Sequence, residues 1–219
     1  MSTKLYTLFA YRFVVRSLIV CILVATVVLS GCTATASPLL AVPQALSNPD
    51  KEPGHKQGPV VEVIKVDVVD NPHLFVFDEA PVYDDGMPAH GNTFMTMGYI
   101  YPYGTLNGSN GVLPNGEPEF PDKVLGKWIC RGWIIGDGAH AEAGAMAFTT
   151  QYFEFGEEYG YATLVTEGYE TASYNQPFAR AITGGTGRFK RARGEAIQEL
   201  LGYNEQMAVN LRFEIRVSQ

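Results

Sequence analysis

Cysteine is scarce in this chain: three among 219 residues, Cys21, Cys32 and Cys130. Only Cys130 falls in the stretch read below as folded, which excludes an intrachain disulfide framework and leaves stability to a hydrophobic core. Charged residues are few at 18%, and with 46% of the chain apolar the sequence is too hydrophobic to be disordered. Basic residues are the minority, 16 against 23 acidic, for a net charge of −7. Lys4, Arg12 and Arg16 lie before Cys32 with no acid among them, so the remainder is more acidic still and is no partner for a phosphate backbone or any nucleic acid. A clean 3.6-residue repeat over twelve or more positions is also missing; the stretch from Glu195 to Asn204 comes nearest. His55, His73, His90 and His140 stand at no metal-ligand spacing, which argues against a metal site.

What is present begins with an address. Lys4, Arg12 and Arg16 precede an uncharged run from Ser17 to Leu29, long enough for a secretory apolar region and short for a bilayer span. It ends in Leu29-Ser30-Gly31-Cys32, which resembles the bacterial lipobox. That resemblance implies a signal peptide over residues 1–31, lipidation of Cys32 and a membrane-anchored lipoprotein facing the periplasm or cell exterior. Thr33 after the cysteine favours the outer membrane on the same resemblance. The competing reading is a plain N-terminal membrane anchor, which would place two arginines within a span at high cost. Residues 32–59 are small and polar, with Pro38, Pro43, Pro53 and Pro59, and read as a flexible tether.

Residues 60–219 read as one all-β domain. Eight runs rich in β-branched and aromatic residues are separated by turn clusters such as Tyr83-Asp84-Asp85-Gly86 and Gly136-Asp137-Gly138. The runs are Val60 to Val69, Thr93 to Tyr103, Lys127 to Ile135, Ala145 to Phe155, Ala162 to Gly168, Phe178 to Thr183, Ala192 to Leu201 and Val209 to Val217, with a short segment from His73 to Phe77 besides. Strands without intervening helices predict an antiparallel barrel or sandwich. The Gly/Asn/Pro-rich stretch from Gly104 to Asp122 predicts a long loop that is either a functional rim or mobile.

The run Ala181-Ile182-Thr183-Gly184-Gly185-Thr186-Gly187 invites comparison with a dinucleotide fingerprint, but Lys190 stands where the last glycine belongs and too little chain follows. A tight turn between strands is the better reading. In its longer form, through Arg188, Phe189 and Gly194-Glu195, this segment resembles the signature of the allene oxide cyclase and dirigent protein superfamily. Leu74 to Asp84, Trp128 to Gly132 and Phe153 to Gly160 resemble other parts of that family more loosely. The resemblance implies an eight-stranded antiparallel β-barrel with a largely apolar lumen. It implies frequent homotrimers, small hydrophobic substrates and neither metal nor organic cofactor. Met97 stands where plant members carry a cysteine, and Phe178 near the dirigent arginine, so neither named activity transfers.

Chemistry in an apolar lumen needs an acid or anion there, because low dielectric raises a carboxyl pKa and strengthens any field on developing charge. Polar residues interrupting apolar strands are therefore the catalytic candidates: Asp67, Tyr152, Glu154 and Arg180. By alternation Tyr152 and Glu154 share one face, and Arg180 shares its face with Phe178 and Ile182. For each, a solvent-facing position or an interfacial salt bridge is the bland alternative. Two functions follow: a cofactor-free cyclase, isomerase or stereocontrol protein, or a non-catalytic lipoprotein that binds a small ligand or a surface partner. An open lumen with a buried carboxylate would support the first, and a lumen filled by side chains would oppose it.

Overall fold

The computed structural model describes residues 61–218; the lipobox, Cys32 and the tether lie outside the described residues. Nine strands form in chain order: β1 (Val61–Asp70), β2 (Val76–Phe77), β3 (Thr93–Pro102), β4 (Gly126–Ile134), β5 (Ala145–Phe155), β6 (Thr163–Thr171), β7 (Phe178–Gly185), β8 (Arg193–Tyr203) and β9 (Val209–Ser218). Every pairing between them is antiparallel, in the order β1-β9-β8-β7-β6-β5-β4-β3. Pairing of β1 with β3, from Val66 opposite Pro102 to Asp70 opposite Gly98, closes the ring. The result is the predicted eight-stranded barrel. The short β2 adds to the free stretch of β3, with Val76 opposite Met95 and Phe77 opposite Phe94.

Closure removes sheet edges and makes each strand a two-faced element. Along β5, Ala147, Thr149, Gln151 and Phe153 are buried in the lumen, while Phe148, Tyr152 and Glu154 alternate outward. The same parity puts Val66, Val68, Ile100, Trp128, Cys130, Leu164, Ile182, Leu211, Phe213 and Ile215 inside, in one continuous core.

The glycine-rich segment is a strand end followed by a single tight turn. β7 runs on through Gly185, and Gly187 holds a φ of +53°. A Cβ there would sit 1.6 Å from the Tyr161 carbonyl oxygen, so only glycine fits where the β5–β6 hairpin packs on this turn. The turn is an assembly point between two loops.

The long loop, residues 103–125, lies neither at a rim nor free. It folds back along the outer wall, where Leu106 and Val112 bury with Val69 and Tyr101 in a second apolar cluster. Tyr101 Oη donates to the Gly111 carbonyl at 2.8 Å, and Asn71 Nδ2 to that of Gly116 at 2.9 Å.

Candidate functional site

The lower part of the lumen is packed with large side chains. Phe153 meets Phe213 edge to face with centroids 5.0 Å apart, and Phe155 tilts against Phe189 at 5.7 Å. Trp128, Leu164 and Ile215 fill in around them, all essentially without exposure.

Above this layer lies a polar network centred on Arg180. Its guanidinium makes five hydrogen bonds: Nε to Thr166 Oγ1 at 3.3 Å, Nη1 to the Tyr169 carbonyl at 2.6 Å and to Glu170 Oε1 at 3.0 Å, and Nη2 to the Thr149 carbonyl and Oγ1 at 2.9 and 2.8 Å. Gly168 makes this possible, since a Cβ at that position would come 3.2 Å from Arg180 Cγ. Glu170 is held from the other side. Gln151 Nε2 donates to its Oε1 and Gln198 Nε2 to its Oε2, each at 2.5 Å. Gln151 Nε2 also donates to Gln198 Oε1 at 3.0 Å, a bond across the barrel between strands that are not neighbours. These contacts fix the amide orientations, because turning Gln151 over would set its oxygen against a carboxylate. Among the described residues, Trp128 Nε1 and Gln151 Oε1 are buried without a protein partner.

Beside this plug, at the end of β1, sits Asp70. Its Oδ1 accepts from Thr96 Oγ1 at 2.5 Å. Burial pushes its carboxyl up to about 7, and the charge of Glu170 pushes the same way against the hydrogen bonds of Thr96 and the Asn71 backbone. Such a carboxyl exchanges its proton near neutrality, which suits acid–base work if a substrate reaches it. Cys130 is buried in the same region, and that burial raises its thiol well above the ordinary range, as for an inert core cysteine.

The four sequence candidates do not assemble. Arg180 is in the lumen. Asp67 faces the outer wall beneath the long loop, gripped by Arg212 Nε and Nη2 at 2.8 and 3.1 Å and by the Leu106 N–H at 2.9 Å. Tyr152 and Glu154 do share a face, but it is the outer one. Arg131 lies 6.0 Å from the Tyr152 ring centre, and Glu154 accepts from Thr163 Oγ1 and the Gly160 N–H inside its own hairpin. The expectation of a lumen acid at Glu154 or Asp67 is therefore corrected: Asp70 and Glu170 are the inner carboxylates. Both lie just beyond the apolar runs that end at Val69 and Gly168, where pairing continues to Asp70 in β1 and Thr171 in β6.

An open groove of about 490 Å³ lies on the outside of the barrel, across β2, β3 and β4. Val76, Met95 and Arg131 form one outward row by strand register, and Asp78, Thr93 and Trp133 the next. Phe77, Phe94 and Gly132 alternate with them and form the floor. Asp78 accepts from Thr93 Oγ1. From Trp133 the register continues through Phe148 to Tyr169. These three are 53%, 41% and 56% exposed, and Phe148 and Tyr169 pack edge to face at 5.6 Å. A contiguous aromatic row left open to water marks a contact surface rather than scattered surface apolarity.

No protein-family model and no curated protein matches the sequence. Among solved structures, one pterocarpan synthase dirigent protein superposes with a TM-score of 0.52 at 19% identity, over 73% of this chain and 96% of its own. The fold is dirigent-like. A second pterocarpan synthase dirigent protein gives 0.50 at 19% identity, over 80% of this chain and 96% of its own. A pyocyanin demethylase covers 71% of this chain and 99% of its own at 12% identity, with a TM-score of 0.45. At such identities the likeness is one of fold, and chemistry has to be argued from the dirigent-like barrel itself.

Proposed function

We propose that this protein is a membrane-tethered dirigent-like barrel that serves as a non-catalytic binding module, taking a small apolar molecule in the groove on its outer wall. The observation that carries the reading is the contrast between the two surfaces. The lumen is spanned by the Gln151–Gln198 bond and packed below it, whereas the outer groove is open, mostly apolar and in the size range of ligand sites. The tether rests on the Leu29-Ser30-Gly31-Cys32 box. A cofactor-free cyclase or isomerase acting on a hydrophobic substrate in the lumen is the second reading, favoured by the near-neutral Asp70 carboxyl.

The two readings separate in one titration. The full chain in lipid nanodiscs is titrated with the neutral dye N-phenyl-1-naphthylamine, with empty nanodiscs subtracted. Trp133→Ala is expected to abolish binding, while Asp70→Asn leaves it intact. Binding that survives Trp133→Ala and is lost in Asp70→Asn would overturn the groove and move the site to the lumen.

A further inference from the structure

Within the groove, the outward residues divide by chemistry. Val76, Met95 and Trp133 supply an apolar wall, and each is about half exposed. At one corner stands Arg131, outward on β4 opposite Met95 and Thr150. Among the described residues it has no carboxylate partner; the contact its guanidinium makes is with the face of Tyr152. The next acid along its row, Glu167, is two strands away and takes the Thr150 hydroxyl at 3.4 Å. Asp78 stands at the diagonally opposite corner, beyond Met95 and Thr93, with one oxygen already occupied by Thr93. Two strand spacings and two residues separate those corners, roughly 11–12 Å, too far for a direct ion pair.

The arrangement is a cation with free donors beside an apolar surface, in a chain whose charge is otherwise predominantly negative. A guanidinium in that position offers a planar pair of N–H groups to a carboxylate, with the Tyr152 ring centre 6.0 Å from its carbon. Resting on the groove reading above, we infer that the ligand is an amphipathic monoanion: a compact apolar body against Val76, Met95 and Trp133, with a single carboxylate on Arg131. Asp78 disfavours a second negative charge at the far end, so dicarboxylates are excluded by the same geometry.

The test compares two probes of the same shape, 1-naphthaleneacetate and its neutral amide, by calorimetry on the full chain in nanodiscs, with empty nanodiscs as blank. The acid is expected to bind about three- to tenfold tighter than the amide at low salt, as for one partly exposed charge-assisted contact. That preference should vanish in Arg131→Gln and shrink in about 0.5 M salt, where screening is strong. Arg131 and Trp133 are both exposed, so their variants retain the fold, checked by unchanged far-UV circular dichroism. Equal affinity for acid and amide, or a preference that survives Arg131→Gln, overturns the anion inference and leaves the groove standing. Failure of both probes to bind, or binding indifferent to Trp133→Ala, overturns the groove as well. A ring of subunits that buries Trp133, seen by sedimentation together with loss of both probes, has the same consequence.

Discussion

Raising the pH should weaken this barrel through one side chain. Asp70 has its carboxyl raised from 3.8 to about 7 by burial. In the unfolded chain the group titrates normally, so between those values the folded state binds a proton that the unfolded state does not. Stability therefore falls as pH rises across the window and is lowest once the folded group has ionised. From about pH 5 to about pH 8 the change spans roughly two units, which amounts to about 3 kcal/mol at ~1.4 kcal/mol per unit. For a domain of this size that corresponds to a fall in Tm of roughly 5–10 °C. Asp70→Asn keeps the shape and the acceptor for Thr96 but cannot ionise. Thermal melts of the two chains across that range should diverge, the variant lacking this slope and equalling or exceeding the parent at the alkaline end. Parallel profiles would refute the assignment, and with it the buried carboxyl as the alternative site's acid.

The Arg180–Glu170 pair makes a second measurable commitment. Arg180→Met leaves Glu170 unpaired at only 14% exposure and should cost about 3–5 kcal/mol in urea unfolding. Arg180→Met with Glu170→Leu should recover most of the loss, because the uncompensated charge is then gone. On the outer wall, Asp67→Ala removes both the Arg212 fork and the Leu106 N–H acceptor. It should cost about 2–4 kcal/mol and expose the long loop to limited proteolysis between Gly104 and Asp122, while the barrel's β signal in circular dichroism persists.

Much of the architecture could be read from composition and periodicity because a barrel repeats one simple rule. Period-two runs between glycine-rich turns located all eight barrel strands, usually to within a residue or two. The short β2 falls inside the brief segment from His73 to Phe77 that stands beside the eight runs, although two paired residues are too few for a period to mark their bounds. The inner polar residues were harder, for reasons that lie in the fold. Asp70 and Glu170 sit at strand ends next to turn residues, where sequence gives no sign that pairing continues. Gln151, Thr149 and Gln198 are uncharged and look like ordinary solvent-facing positions until closure assigns their face. Asp67 stood out correctly as a polar residue in an apolar strand, but Val66 and Val68 beside it are buried on the opposite face. A strand covered on both sides hides which of its faces is the lumen, and the loop that covers Asp67 arrives from 39 residues away.

That double covering also explains where a ligand can go. An eight-stranded barrel is just wide enough to be filled by its own side chains or to hold one small molecule, and the inner residues decide which. Here Phe153, Phe213, Phe189, Trp128 and Arg180 occupy the interior, and Gly168 is spent on seating Arg180. Along β1 and β9 the outer wall is closed as well, by the long loop and the Asp67–Arg212 pair. The arc from β2 to β6 is left uncovered, and there Trp133, Phe148 and Tyr169 stand open to water beside the exposed Val76 and Met95. Leaving three adjacent aromatic rings in water forfeits roughly 25 cal/mol for every Å² they could bury, and aromatic residues at strand centres are easily replaced by threonine without loss of sheet. The fold does not need them there, so their presence is best accounted for by what they contact.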